Sequence, residues 1–334
     1  MNRRNFIICS ASAAAAALMP GQHANARSQQ PWSMAAPLPI NTQELYPVVH
    51  QAKLYVAGGI ASKQGEIYFT DRFFSYDPNA NEWVDEAPLP ESLHHAALVS
   101  TGDRLFLVGG FNGSFEHFWR MRENVYEYKA GEWLTVTALP KPQAEGVLSD
   151  HKNDIHLVSG QSPRSSANVN RSDHQEVTTH WVLPSGGSKW ETAAPIPLAR
   201  NSATGGWVGD QLIVTGGRNA HGNFDHTHIY DKKEDRWRDA KPLPLPQAGT
   251  ASVTVDDGLI VFGGEIFVPK AGVFKETWRY SLVNDQWSAY PDMKTPRHGI
   301  GAGKIGNKVF VVGGATEPSG KGTSNLNEVL IVEN

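Results

Sequence analysis

The 334-residue chain predicts an all-β fold: a six-bladed β-propeller of four-stranded sheets, its ring closed by the N-terminal strand near Trp32, which completes the last blade. Three observations carry this expectation. An apolar run ending in two small residues, usually Gly-Gly, occurs six times. Five of the six runs are followed by a tryptophan after a turn, and the sixth, missing, tryptophan has its counterpart at Trp32, at the opposite end of the chain.

The apolar runs are Leu54 to Gly59, Leu105 to Gly110, Leu212 to Gly217, Leu259 to Gly264 and Val309 to Gly314, with a degenerate copy from Ile155 to Gly160. Their final residues lie 51, 50, 57, 47 and 50 positions apart. Self-similarity at this period marks a repeat architecture, in which each unit needs neighbours to bury its faces. After each run comes a strand anchored by Tyr76, Tyr128, Trp181, Tyr230, Tyr280 or Leu330. Then follow Trp83, Trp133, Trp190, Trp237 and Trp287, each large enough to fill the space between sheets. A Leu-Pro or Ile-Pro succeeds most of them, and Trp32 is succeeded by Leu38-Pro39. Closing the ring with the N-terminal segment removes the free sheet edges of an open array.

Diglycine, spaced aromatic and tryptophan at about fifty residues resemble the kelch repeat over the whole mature length. That resemblance implies the propeller fold and leaves the activity open, because function on such a fold lives in the site and not in the repeat.

The first residues read as an export signal. Arg3 and Arg4 precede an apolar stretch from Phe6 to Leu18, and Ala24-Asn25-Ala26 forms a small-x-small cleavage site. The run Asn2 to Ile7 resembles a twin-arginine signal. The expected organisation is a signal peptide over 1–26 and a single propeller domain over 27–334, located in the periplasm. Cleavage leaves 28 basic against 34 acidic side chains, a net charge of −6. That balance argues against nucleic acid or an anionic membrane as partner. The single cysteine, Cys9, lies within the signal, so disulfides, thiol nucleophiles and thiolate metal sites are excluded from the mature chain.

The turns within each repeat are unequal. Those joining the first two strands are short, whereas the connections at 60–70, 111–122, 161–178, 218–225, 265–275 and 315–324 are long and irregular. Insertions gathered on one face mark a binding face. The entry of each innermost strand opens there too. Counted from the Leu-Pro, its third position is Thr42, Leu93, Gln143, Arg200, Gln247 and Arg297, and its fifth is Glu44, His95, Glu145, Ser202, Gly249 and Gly299. With strict alternation both positions point the same way, into a polar mouth.

Glu265 follows the fifth diglycine directly. In this it resembles the periplasmic N-acetylneuraminate epimerases (sialic-acid mutarotases), six-bladed kelch propellers with a glutamate after such a diglycine and an arginine a few residues on. The arginine is absent here: Lys270 and Lys275 are the nearest cations, and Arg218 belongs to the preceding repeat. The resemblance implies a small anionic sugar as ligand and a sugar-acid mutarotase or epimerase as activity. Glu265, Glu145 and His95 are then the acid–base candidates. Arg200 and Arg297 are the expected carboxylate clamp, with Gln143, Gln247, Glu44, Arg218 and Trp119 as further ligand contacts. Copper-radical sugar oxidases, another kelch-type class, need a cysteine that the mature chain lacks. No cofactor is expected and no metal is assigned; His221, Asp225, His226 and His228 are the one group with metal-ligating residue types at close spacing, and they are read as a turn cap at Asp225 with surface histidines. The aromatic loop from Phe115 to Arg122 supports a second reading, a non-catalytic periplasmic receptor or scaffold for a protein or peptide.

Processing after Ala26 is directly measurable: intact mass and N-terminal sequencing of periplasmic protein should give a chain starting Arg27-Ser28. A periplasmic chain retaining Met1 would contradict the assignment.

Overall fold

In the computed structural model, residues 32–113 and 117–332 are described; the signal peptide assigned to 1–26, and Phe115 with Glu116, lie outside them. The described chain is almost wholly β, its helical content being one 3₁₀ turn, Arg171–Asp173. Six of its sheets are four-stranded and antiparallel throughout. The first contains Val48–His50, Lys53–Ala57, Phe73–Asp77 and Glu82–Asp85, joined in sequence order, and the next four repeat that plan. In the last, Gly301–Ile305, Lys308–Val312 and Asn327–Ile331 are joined by Trp32–Met34, with Trp32 opposite Leu330. Chain segments about 300 residues apart in sequence thus share one sheet.

The repeated residues explain how neighbouring sheets hold together. Trp83, Trp133, Trp237 and Trp287 each donate their indole N–H to a backbone carbonyl of the segment before the adjoining sheet, at Ala36, Ala87, Ala194 and Lys241. Trp32 does the same to Pro291 at 2.9 Å. In three repeats a tyrosine hydroxyl reinforces this arrangement: Tyr76, Tyr230 and Tyr280 donate to Asn81, Asp235 and Asp285, whose same oxygen accepts the N–H of Ala36, Ala194 and Lys241. Between the third and fourth sheets the packing includes histidines. His156 Nδ1 lies 2.8 Å from His180 Nε2, both buried, and burial lowers their pKa values to about 3 and about 4.

The diglycines mark the closest approach. The second residue of each pair donates its N–H to the carbonyl of the third-position residue in the next sheet: Gly59 to Leu93, Gly110 to Gln143, Gly160 to Arg200, Gly217 to Gln247, Gly264 to Arg297 and Gly314 to Thr42. The first glycine faces the same carbonyl. A Cβ on Gly109 would lie 2.2 Å from the Gln143 oxygen, and the backbone there has φ +60°. Neither the space nor the dihedral suits a side chain.

Gly109→Ala is therefore expected to cost about 3 kcal/mol or more in urea unfolding. Gly131→Ala, at a turn with equally positive φ but nothing within 4 Å, should cost roughly 1–2 kcal/mol. Equal costs would show that the contact with the next sheet is not what requires the glycine.

Candidate functional site

The long connections are not irregular. Five of them fold into short ladders: Ile60–Lys63 with Glu66–Phe69, Phe111–Asn112 with Arg120–Met121, Gln161–Pro163 with His174–Glu176, Arg218–Asn219 with Gly222–Asn223, and Glu265–Ile266 with Gly272–Val273. They wall a cavity of about 670 Å³. Glu44, His95, Trp119, Arg218 and Glu265 line it, together with Arg171, which the sequence did not single out.

The third and fifth positions of the innermost strands do not point the same way. All six fifth-position residues have left-handed backbone, from φ 52° at His95 and Ser202 to φ 66° at Gly249. That turn breaks the alternation on which the shared-mouth expectation rested. The third-position side chains are consequently buried inside the sheets. Arg200 donates to the Gly216 and His226 carbonyls at 3.0 and 2.8 Å, and its other nitrogen contacts His228 Nδ1. Arg297 donates to the Gly313 and Val311 carbonyls and lies 3.5 Å from the buried Glu328 carboxylate. Gln143 donates to the Ser159 carbonyl and Gln247 to Gly263, each sixteen residues on, the same offset as Arg200 to Gly216 and Arg297 to Gly313. None of the four lines the cavity. Burial lowers both arginine pKa values to about 10. The expected carboxylate clamp of Arg200 and Arg297, and the ligand contacts of Gln143 and Gln247, are thus corrected: these residues fasten each inner strand to its own sheet's diglycine.

The fifth-position side chains do converge. His95 Nε2 lies 3.1 Å from Glu44 Oε2 and 3.3 Å from Glu145 Oε1. Glu145 has no exposed side-chain surface and reaches the cavity only through these neighbours. On the other edge, His95 Nδ1 is 2.7 Å from His94 Nδ1, and His94 Nε2 is 2.7 Å from the Phe118 carbonyl. Burial and the adjacent His95 hold His94 neutral, with its pKa lowered to about 3. Its one hydrogen must therefore serve Phe118, and His95 must donate at Nδ1. His95 Nε2 thus faces two carboxylates, one on each side. Burial opposes ionisation of Glu44, but the pull of and hydrogen bond from His95, with His298 and Arg218 beyond, hold its carboxyl far below the usual range. Tyr46, buried and facing Glu145 and Glu44, is raised well above 10.

A second cluster forms the opposite wall. Arg218 donates to Glu265 Oε1 at 2.6 Å, while Glu265 Oε2 accepts the Ser319 N–H at 2.9 Å and lies 3.5 Å from His298 Nε2. Burial works against the Arg218 charge, but Glu265, Glu145 and Glu44 outweigh it and raise its pKa. Both oxygens of Glu265 are engaged, so this carboxylate is fixed in place.

Arg171 sits at the rim on the 3₁₀ turn. Asp173 holds that turn by accepting the N–H groups of Val169 and Asn170 at 2.9 and 2.8 Å. The guanidinium carbon lies 4.6 Å above the Trp119 ring, one nitrogen is 3.8 Å from Glu145, and 41% of the side chain is exposed. Trp119 itself packs edge-on against Phe111. The histidines of the fourth repeat occupy different environments: His226 is exposed and pairs with Asp225 at 3.3 Å, His228 is buried on Arg200, and His221 is exposed on a turn. Among the described residues, no group of three or more His, Cys, Asp or Glu is arranged to hold a metal ion.

With this architecture in view, the class of protein is a propeller assembled from kelch repeats. The KLHDC2/KLHL20/DRC7 kelch-repeats domain matches residues 46–264 and, in an overlapping placement, 147–314, and the chain belongs to the kelch-repeat family. It is similar to Kelch-like protein terF of Aspergillus terreus, 26% identical over 292 residues, covering 85% of this chain and 52% of that one. It is also similar to Beta-scruin of Limulus polyphemus, 26% identical over 149 residues, covering 42% of this chain and 16% of that one. A third relative is Kelch-like protein 26 of Danio rerio, 21% identical over 197 residues, covering 58% and 30% respectively. The chain spans about half or less of the length of these relatives.

The buried histidines make acid stability a direct check. His94, His156, His180 and His228 have pKa values lowered to about 3, 3, 4 and 4, against 6.5 when unfolded. The unfolded chain therefore binds more protons below pH 6.5. Stability should be full above that pH and fall as pH drops through the window to about 3, each histidine contributing up to roughly 1.4 kcal/mol per pH unit. Glu44 acts in the same direction below pH 4.5. Urea midpoints that stay flat between pH 7 and 4 would contradict the buried neutral histidines.

Proposed function

We propose that this chain is an exported, periplasmic propeller whose six sheets form a closed ring of blades, and that its loop-rich face binds a small polyhydroxylated acid, a sugar acid in class. Support for closure comes from the Gly314 to Thr42 hydrogen bond and the pairing of Trp32 with Leu330. The observation that carries the ligand reading is the 670 Å³ cavity itself, the size of a small-molecule site, with carboxylates and amides around an aromatic face. Sugar hydroxyls donate to such carboxylates, and a ring stacks on aromatic side chains. Arg171, partly exposed and resting on Trp119, takes over the acid-binding role first given to Arg200 and Arg297.

If the site turns its ligand over, His95 and Glu145 are the proton-transferring pair, since they lie 3.3 Å apart. Glu265, locked by Arg218 and Ser319, then positions and does not exchange protons. Faster interconversion of N-acetylneuraminate anomers than in buffer, lost in Glu145→Gln and retained in part by Glu265→Gln, would make the protein an isomerase.

A second reading is a receptor or scaffold for a protein partner on the same face. It is favoured by the kelch-repeat relatives, in which the matched region is half or less of a longer chain, and by exposed Phe267 and Val268 beside the cavity. The two separate in a thermal melt. Millimolar N-acetylneuraminate or glucuronate should raise Tm by about 5 °C, and Arg171→Ala or Trp119→Ala should abolish the shift. No shift with any sugar acid would remove the small-ligand reading.

A further inference from the structure

Two aromatic side chains stand on opposite sides of the cavity. Trp119 belongs to the connection of the second repeat and Phe267 to that of the fifth, and both line the cavity. Each repeat donates a backbone hydrogen bond to the next, and the sixth donates to the first. In that succession the second and fifth repeats are three steps apart in either direction, the greatest separation six repeats allow. Each ring carries an arginine from the adjoining repeat. The guanidinium carbon of Arg171 lies 4.6 Å from the centre of Trp119, and that of Arg218 lies 5.4 Å from the centre of Phe267. Phe267 nevertheless stays 43% exposed.

A row of polar groups runs from one ring to the other. His95 lies 6.1 Å from Trp119 between ring centres and 3.1 Å from Glu44. His298 lies 3.8 Å from Glu44 and 3.5 Å from Glu265, which accepts from Arg218. Among the carboxylates of this floor Glu44 is the reachable one, its side chain 15% exposed against 3% for Glu265 and none for Glu145. A ligand lying along the row can give a hydroxyl to Glu44 while its ends rest on the two rings.

One sugar ring cannot cover both platforms. Small-molecule sites run from about 300 to about 1,000 Å³, and a cavity of about 670 Å³ is large for a single pyranose. The two ends also differ in charge. Arg218 is held by Glu265, whereas Arg171 and Arg164, both exposed on the third connection, line the cavity on the other side. An acid therefore suits the Trp119 end and an uncharged face of a sugar suits Phe267.

Resting on the small-ligand reading above, we infer that the ligand has at least two sugar units: an acid unit on Trp119 and Arg171, and a second ring stacked on Phe267 across the cavity.

Calorimetric titration with glucuronate, galacturonate, cellobiouronate (glucuronosyl-glucose) and digalacturonate tests this. At least one disaccharide should bind about tenfold or more tightly than its monosaccharide acid. Phe267→Ala should cut that gain to about twofold or less and leave monosaccharide affinity unchanged, and Phe267→Trp should keep the gain. Val268→Ala, beside it but not lining the cavity, should leave the gain intact. Monosaccharide acids binding as tightly as both disaccharides would overturn the two-unit assignment and leave the small-ligand reading standing. A gain unchanged in Phe267→Ala, or lost equally in Val268→Ala, would overturn the placement of the second ring. Failure of every probe to bind would overturn both readings.

Discussion

The fold depends on one contact made six times: a glycine N–H reaching the third-position carbonyl of the next sheet. In five repeats a glycine before it leaves the space in front of that carbonyl open; in the third, Ser159 stands there and its Oγ donates to the same Arg200 carbonyl at 2.6 Å. Five of the six carbonyls would lie within 2.6 Å of a Cβ on the first glycine of the facing pair. The contact therefore sets the spacing between sheets at the end where the inner strands begin, and through it the width of the mouth above them. The same third-position residue turns its side chain back to its own sheet. Arg200, Arg297, Gln143 and Gln247 each cap the carbonyl sixteen residues ahead. One residue thus joins two sheets, through its carbonyl outward and its side chain inward.

That double use explains what was legible in the sequence and what was not. The diglycines and tryptophans could be read because each does the same job in every repeat, so period and residue type agree. The polar residues at the inner strands could be found as a set but not sorted. Alternation puts the third and fifth positions on one side, and only a left-handed residue at the fifth separates them. Glycine at 249 and 299 hints at that backbone, whereas Glu44, His95, Glu145 and Ser202 adopt it against their ordinary preference. The fourth position, which brings Gln43 and Asn201 to the cavity, was passed over for the same reason. Arg171 was missed differently. It lies in the longest connection, which has no counterpart in the other repeats, and its only local signal is the Asn170-Arg171-Ser172-Asp173 turn sequence.

The cavity exists because the repeats are unequal where the scaffold tolerates it. Three consecutive copies carry Glu44, His95 and Glu145 at the fifth position, and the other three carry Ser202, Gly249 and Gly299. The bulky and charged side chains of the first half need space that the second half gives up. A Cβ on Gly299 would come within 3.0 Å of the Glu44 carboxyl group, so the glycine makes room for that carboxylate. Into the remaining volume the connections of the fourth and fifth repeats bring Arg218 and Glu265. Repetition supplies the anchoring points, and its local loss supplies the site.

Burying three carboxylates and several imidazoles in one place carries a cost, because each charge loses water. Arg218 and Glu265 offset theirs by a short pair that the Ser319 N–H completes. Glu44 and Glu145 offset theirs incompletely, through His95 at 3.1 and 3.3 Å. A scaffold that needed only to stand would be more stable with apolar residues at those three positions, since the sheets are already fastened by the third position and the diglycines. The carboxylates contribute nothing to that fastening. Their retention at the floor of an open cavity, with the compensating arginine held at the rim on an aromatic ring, is accounted for by what enters from outside. The physical asymmetry between the two arginines carries this argument: Arg218 is committed to its partner, whereas Arg171 still has donors to give.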